Sequence, residues 1–224
     1  MAVGVPTVLV DQNRTLTSGD ATTSAFTPTA GANQCVMILI ASFGNAITSA
    51  VMSTDGAMTQ IGTTITTPYL GYTVSAFRRM APTAVSQTIN LDTTAGAESH
   101  VIHVKVIECA GVDATTPHDA IESASLDSPA SVTNDVASAT DERVIGFGIF
   151  GTDPTPEQTI VGTDTQLGAT GYYMAAQQVA GSSSVSVDWT GTSFDQVAAI
   201  WFSLNASGGG ASGQLLKQMM QHYY

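Results

Sequence analysis

The residues able to do chemistry are few and spread along the chain. His100 and His103 form the closest histidine pair. Three positions apart on a strand, they point to opposite faces and cannot chelate one ion together. No His-Glu-x-x-His, Cys-x-x-Cys or EF-hand pattern is present. Asp113, Asp119 and Asp127 fall in a loop-like region and are read as solvated carboxylates, because Ca²⁺ takes about six to eight oxygens. A nucleophile needs an activating base beside it, and no Gly-x-Ser-x-Gly elbow marks one. Glu98, Glu108 and Glu122 are candidate acids without a recognisable pairing, and Gly208-Gly209-Gly210 lacks the Lys-Ser/Thr that completes a phosphate loop. Cys35 and Cys109 each sit in an apolar run and are expected to be buried free thiols. Their spacing does not argue for a disulfide, which stays open. Trp189 and Trp201 are expected in a core. Tyr172 and Tyr173 are the candidate ligand-binding pair, since adjacent strand residues place one ring on each face. The expectation is a non-enzymatic chain with no catalytic residue, no cofactor and no metal.

The strands that must carry these residues are marked by composition. Charged residues make up only 11% of the 224, and Thr and Ser, roughly a quarter of the chain, take their place. Thr fits a pleated surface, so the chain reads as all-β with a neutral polar exterior. The net charge of −12 with six cations argues against a nucleic-acid partner and against an anionic membrane. Acidity serves solubility instead. No stretch approaches the length of a membrane span. Residues 1–6 lack the basic start of a signal peptide, which predicts synthesis in a cytoplasm.

Gln34 to Ala41 is apolar at nearly every position, the pattern of a strand buried on both faces. Gly71–Met80, His100–Cys109, Arg143–Phe150, Ser184–Trp189 and Ala198–Leu204 are further strands. In His100–Cys109, Ile102, Val104 and Val106 share one face while His103 and Lys105 point the other way. Turn signals such as Asp55-Gly56 and Gly162-Thr163-Asp164 separate the runs. This predicts a two-sheet, jelly-roll-like β-sandwich over residues 1–205.

The end of the chain changes character. Residues 206–213 have a Gly/Ser/Ala linker composition. In 214–224, Leu215, Leu216, Met219, Met220 and Tyr223 fall on one helical face. The expectation is a short amphipathic tail helix that is stable only when docked, which makes these five residues the candidate partner-binding set.

From about residue 20 to 204 the order of signals resembles a β-sandwich module of phage virion proteins, also seen in some bacterial surface proteins. The matching pieces are Phe26–Asn33, Asp55–Gly62, Tyr72–Phe77 leading to Met80-Ala81-Pro82, Ser86–Ile89 and, most distinctive, Glu108-Cys109-Ala110-Gly111-Val112-Asp113-Ala114-Thr115-Thr116-Pro117. The resemblance implies a jelly-roll-like fold used for display or attachment and transfers no catalytic residue. With the missing signal peptide, it predicts a virion protein: a capsid decoration, spike or tail-associated subunit. Its partners would be other virion proteins and copies of itself. The alternative is a module binding a host-surface glycan or receptor.

Overall fold

The structure is a computed structural model that describes residues 1–16, 19–44, 46–93, 100–151, 155–156, 165–167, 172–190 and 194–208. The described residues are all-β, and no helix occurs among them. The first half of the chain supplies β1 (Thr7–Leu16), β2 (Asp20–Thr22), β3 (Gln34–Ser42), β4 (Ile47–Met52), β5 (Gly56–Ala57), β6 (Thr59–Thr66), β7 (Thr73–Met80), β8 (Ile89–Thr93) and β9 (His100–Ala110). The second half supplies β10 (His118–Asp127), β11 (Ser131–Ala137), β12 (Arg143–Phe150), β13 (Thr155–Pro156), β14 (Thr165–Leu167), β15 (Tyr172–Ala180), β16 (Ser184–Thr190) and β17 (Gln196–Leu204).

These strands form four antiparallel sheets where a two-sheet sandwich was expected. Two are large, ordered β1-β9-β3-β7-β6 and β10-β17-β12-β15-β14; two are smaller, ordered β2-β8-β4-β5 and β11-β16-β13. Three hydrophobic cores show how they stack. Met37, Leu39, Ile107, Phe147, Ile200 and Phe202 fill a central core between the two large sheets. On its other face the first large sheet buries Ile38, Ile40 and Val104 against Leu91, Ile89 and Met52 of the first small sheet. The second large sheet likewise buries Phe150, Ala199 and Trp201 against Val132, Val187 and Trp189 of the second. The order is small, large, large, small. The two large sheets are therefore covered on both faces, which is why β3 and β17 are buried along nearly their whole length and carry polar side chains only near their ends.

The two halves are wired alike. Matching β1, β2, β3, β4, β6, β7, β8 and β9 with β10, β11, β12, β13, β14, β15, β16 and β17 in turn converts one pair of sheet orders into the other, with β5 the one extra strand of the first half among the described residues. The registers agree too. The ladder from Cys35↔Met80 to Ser42↔Thr73 has its counterpart from Arg143↔Ala180 to Phe150↔Tyr173. Contacts across the centre join β6 to β10, β7 to β17, β3 to β12 and β9 to β14. That reversed order is the one a twofold axis along the strands would give.

The first two residues of the segment expected as a linker are held by the fold. Ala206 bridges Val112 and the Ser207 amide donates to the Gly111 carbonyl at 2.7 Å, so both are tied down. The tail helix expected over 214–224 lies outside the described residues.

Candidate functional site

The charged groups that the fold buries gather at one seam between the large sheets. β1 is an edge strand, and its Asp11 and Asn13 stand directly opposite Lys105 and His103 of β9. Strand alternation puts all four side chains on the face toward the central core. His103 and Lys105 are 0% and 3% exposed. His103 Nε2 lies 2.6 Å from Asp11 Oδ1, and its Nδ1 lies 2.8 Å from Asn13 Oδ1. Lys105 Nζ pairs with Asp11 Oδ2 at 3.2 Å. Burial alone would raise the Asp11 carboxyl. The hydrogen bond with His103 and the positive charge of Lys105 outweigh it and hold the group below the usual carboxylate range.

Chemically the cluster is a tether more than a reaction centre. Both imidazole nitrogens are committed, one to a carboxylate and one to an amide oxygen, so neither is turned toward a nucleophile. Sequence reasoning placed His103 and Lys105 on the face opposite Ile102 and Val104, and the structure bears that out. It missed that this face is also covered. The available signal was the paired i, i+2 spacing, Asp11/Asn13 on one strand and His103/Lys105 on another.

A second feature opens on the solvent face of the first small sheet. Asp20, Thr22, Ser49, Val51, Asn90 and Asp92 line a shallow basin of about 480 Å³. Asp20 and Asp92 are direct cross-strand partners, a like-charged pairing that costs stability. Thr22 Oγ1 donates to Asn90 Oδ1 at 3.0 Å. Among the described residues no group of three or more His, Cys, Asp or Glu side chains converges.

The two ends of the strand stack differ. At one, the turn between β6 and β7 exposes Tyr69 and Leu70, and Leu126, near the same end of β10, is exposed as well. The Tyr69 and Leu70 amides both donate to Gln196 Oε1, at 3.3 and 3.1 Å, which fixes the turn on the second half. Phe43 and Tyr72 stack edge to face behind it, with centroids 4.6 Å apart. At the opposite end, residues 1–4 lie as a strap across both halves. The Val3 amide donates to Asp141 O at 2.7 Å and the Gly4 amide to Ala110 O at 2.9 Å. Val3 itself is buried in the central core. Gly111, at φ +77°, leaves room for the Ala2 carbonyl, which a Cβ would overlap. The chain reaches Ser207 beside Met1, whose amino group donates to the Ser207 carbonyl.

The residues singled out from sequence scatter over this frame. Trp189 and Trp201 are fully buried, their rings 5.3 Å apart in the second outer core. Tyr173 is half-buried and pairs with Phe150 and Gln166; the Tyr172 side chain lies outside the described residues. Leu215, Leu216, Met219, Met220 and Tyr223 also lie outside them. Asp113 caps its own turn, accepting from the Thr115 and Thr116 amides at 2.8 Å each. Glu108 accepts from Thr29, and Glu122 is exposed on β10. Cys35 and Cys109 are buried and free.

No protein-family model matches the chain, and a search of the curated proteins finds no match to it.

Proposed function

We propose that this chain is a non-enzymatic structural protein of a bacteriophage virion, a capsid decoration, spike or tail-associated subunit. It would be held in the particle by protein–protein contacts and repeated as a symmetric oligomer. Each half is read as a jelly-roll-like sandwich, because the orders β1-β9-β3-β7 and β2-β8-β4-β5 follow that wiring. The observation that carries the reading is the difference between the two ends of the stack. One end holds the strap and the root of residues 209–224, and the other exposes Tyr69, Leu70 and Leu126. A rigid body with one end for attachment and one for presentation suits a display module. The sequence resemblance over residues 20–204 supports the same reading. Synthesis takes place in the host cytoplasm, and other virion proteins and copies of the chain are the partners.

Deletion of residues 209–224 tests it. These residues lie beyond the last described hydrogen bond of the stack, so the truncated chain is expected to fold and to be missing from purified particles. Normal incorporation of the truncated chain would sink the attachment role. A second reading, a host-glycan-binding module, draws on the basin, whose carboxylate, amide and hydroxyl groups are the kind that sugar hydroxyls bond to. It requires glycan-array binding that Asp92→Asn abolishes.

A further inference from the structure

Cys35 of β3 and Cys109 of β9 are direct partners in the ladder. Residues so opposed share a face, with Cα atoms about 4.5 or 5.5 Å apart. Disulfides span Cα separations of about 4.4–6.8 Å. Both side chains belong to the central core and are 0% and 1% exposed, and both are free thiols. The equivalent ladder position in the second half is Arg143 opposite Leu204, so the dithiol belongs to one half alone.

We propose that Cys35 and Cys109 are a latent cross-strand disulfide site, oxidised by small-molecule disulfides when the strap of residues 1–4 lifts. The pair lies at the strap end of the stack. Val3 shares their core, and its neighbour Gly4 is bonded to Ala110, next to Cys109. Closed, the site is inert. Burial pushes the Cys35 thiol up to about 12, with Arg78 offsetting part of the rise, and burial likewise raises Cys109, with Cys35 adding to it. Only the thiolate attacks a disulfide, so exchange waits for opening. One cysteine thiolate then attacks a sulfur of glutathione disulfide and releases one glutathione thiolate. The second cysteine thiolate attacks the resulting mixed disulfide at the protein sulfur and releases the other. Two electrons pass to the small disulfide, and the two cysteine protons end on the two glutathiones. Unlinked cross-strand partners hold their Cβ atoms about 4.5–5.5 Å apart, whereas a disulfide draws them to about 3.5–4.5 Å. Closure therefore pulls β3 and β9 together, and the bond is reducible again by a strong dithiol.

The full chain is exposed to glutathione disulfide at mildly alkaline pH, quenched with acid, unfolded and assayed for thiols and intact mass. Two thiols per chain are expected to fall to none, with the loss of two hydrogens and a peptide linking Cys35 to Cys109. Removing residues 1–5 is expected to speed the loss by at least ~10-fold, because the opening that limits exchange is then built in. Val3→Ala, which keeps the strap's backbone bonds, is expected to speed it less. C35S and C109S, each lacking the second thiol, are expected to stop at a single glutathione adduct. The proposal is overturned if two thiols survive in both the full and the strap-less chain. It is equally overturned if the product is a stable single glutathione adduct or a link between chains, or if Val3→Ala and strap removal leave the rate unchanged.

Discussion

The two halves of the molecule share a wiring diagram and differ in what they bury. At the seam, the first half places Asp11 and Asn13 over Lys105 and His103. The matching positions of the second half carry Ser123 and Ser125 over Ile200 and Ala198. One interior row away, the first half sets Val106, Ile38 and Phe77 side by side, and the second sets Trp201, Gly146 and Gln177. In that second row a large indole occupies the room that a glycine gives up, and an amide stands where the first half has a ring. Strand order and register thus fix where side chains go, while quite different fillings satisfy the same frame, provided volume is kept.

Moving residues between the halves tests this equivalence. Gly146→Ile installs the residue of the first half, but an ideal Cβ at Gly146 already lies 2.7 Å from Trp201 Cδ1. A loss of about 3 kcal/mol is expected in urea unfolding, and adding Trp201→Val is expected to recover part of it. Full additivity of the two losses would mean that the rows are not equivalent.

Asp11→Ala removes the partner of a buried ammonium and a buried imidazole. Asp11 is itself 32% exposed, so water replaces some of the lost pairing, and the expected cost is roughly 1–2 kcal/mol at neutral pH. Replacing all four seam residues with the second half's set, Asp11→Ser, Asn13→Ser, His103→Ala and Lys105→Ile, is expected to cost less than Asp11→Ala alone. The pH dependence separates the two variants from the parent. Asp11 is held below its ordinary value, so its contribution is complete above the unfolded carboxylate range and fades as pH falls through the folded value. Both variants are expected to lose that acid-side decline, and an unchanged decline would show that Asp11 does not link the seam to pH.

The smallest effect is expected at Gln177. Both of its amide atoms are buried without a partner, as are the indole nitrogens of Trp189 and Trp201. Gln177→Met keeps the volume and removes the unpaired groups. A gain of about 1 kcal/mol is expected, or a rise of roughly 2–4 °C in Tm for a chain of this size. A loss would mean that the amide is satisfied in solution by an ordered water.

Much of this was legible in the sequence, and one misreading is instructive. Residues 34–41 were recognised as a strand buried on both faces, and the structure agrees. A two-layer sandwich leaves the outer face of each sheet to solvent, so such a strand already demanded a further layer. The same logic would have placed His103 and Lys105 inside, because they back onto Ile102 and Val104. The repeat of the wiring left no comparable trace. Pairs such as Phe77 and Gln177 occupy matching ladder positions with unrelated chemistry, and strand order is set by long-range pairing that no local pattern encodes.

The strap also bears on the order in which the molecule is made. Residues 3 and 4 are held by Ala110 and Asp141, and Ser207 is held by Gly111. On a ribosome the first of these segments emerges long before the partners that fix it, and β17, which lies between β10 and β12 in its sheet, emerges after both of them. Domains fold largely as units as they appear. Here the first half can assemble its own outer core, but its inner face stays wet until the second half arrives. Closure at the strap is therefore a late event in the life of the nascent chain.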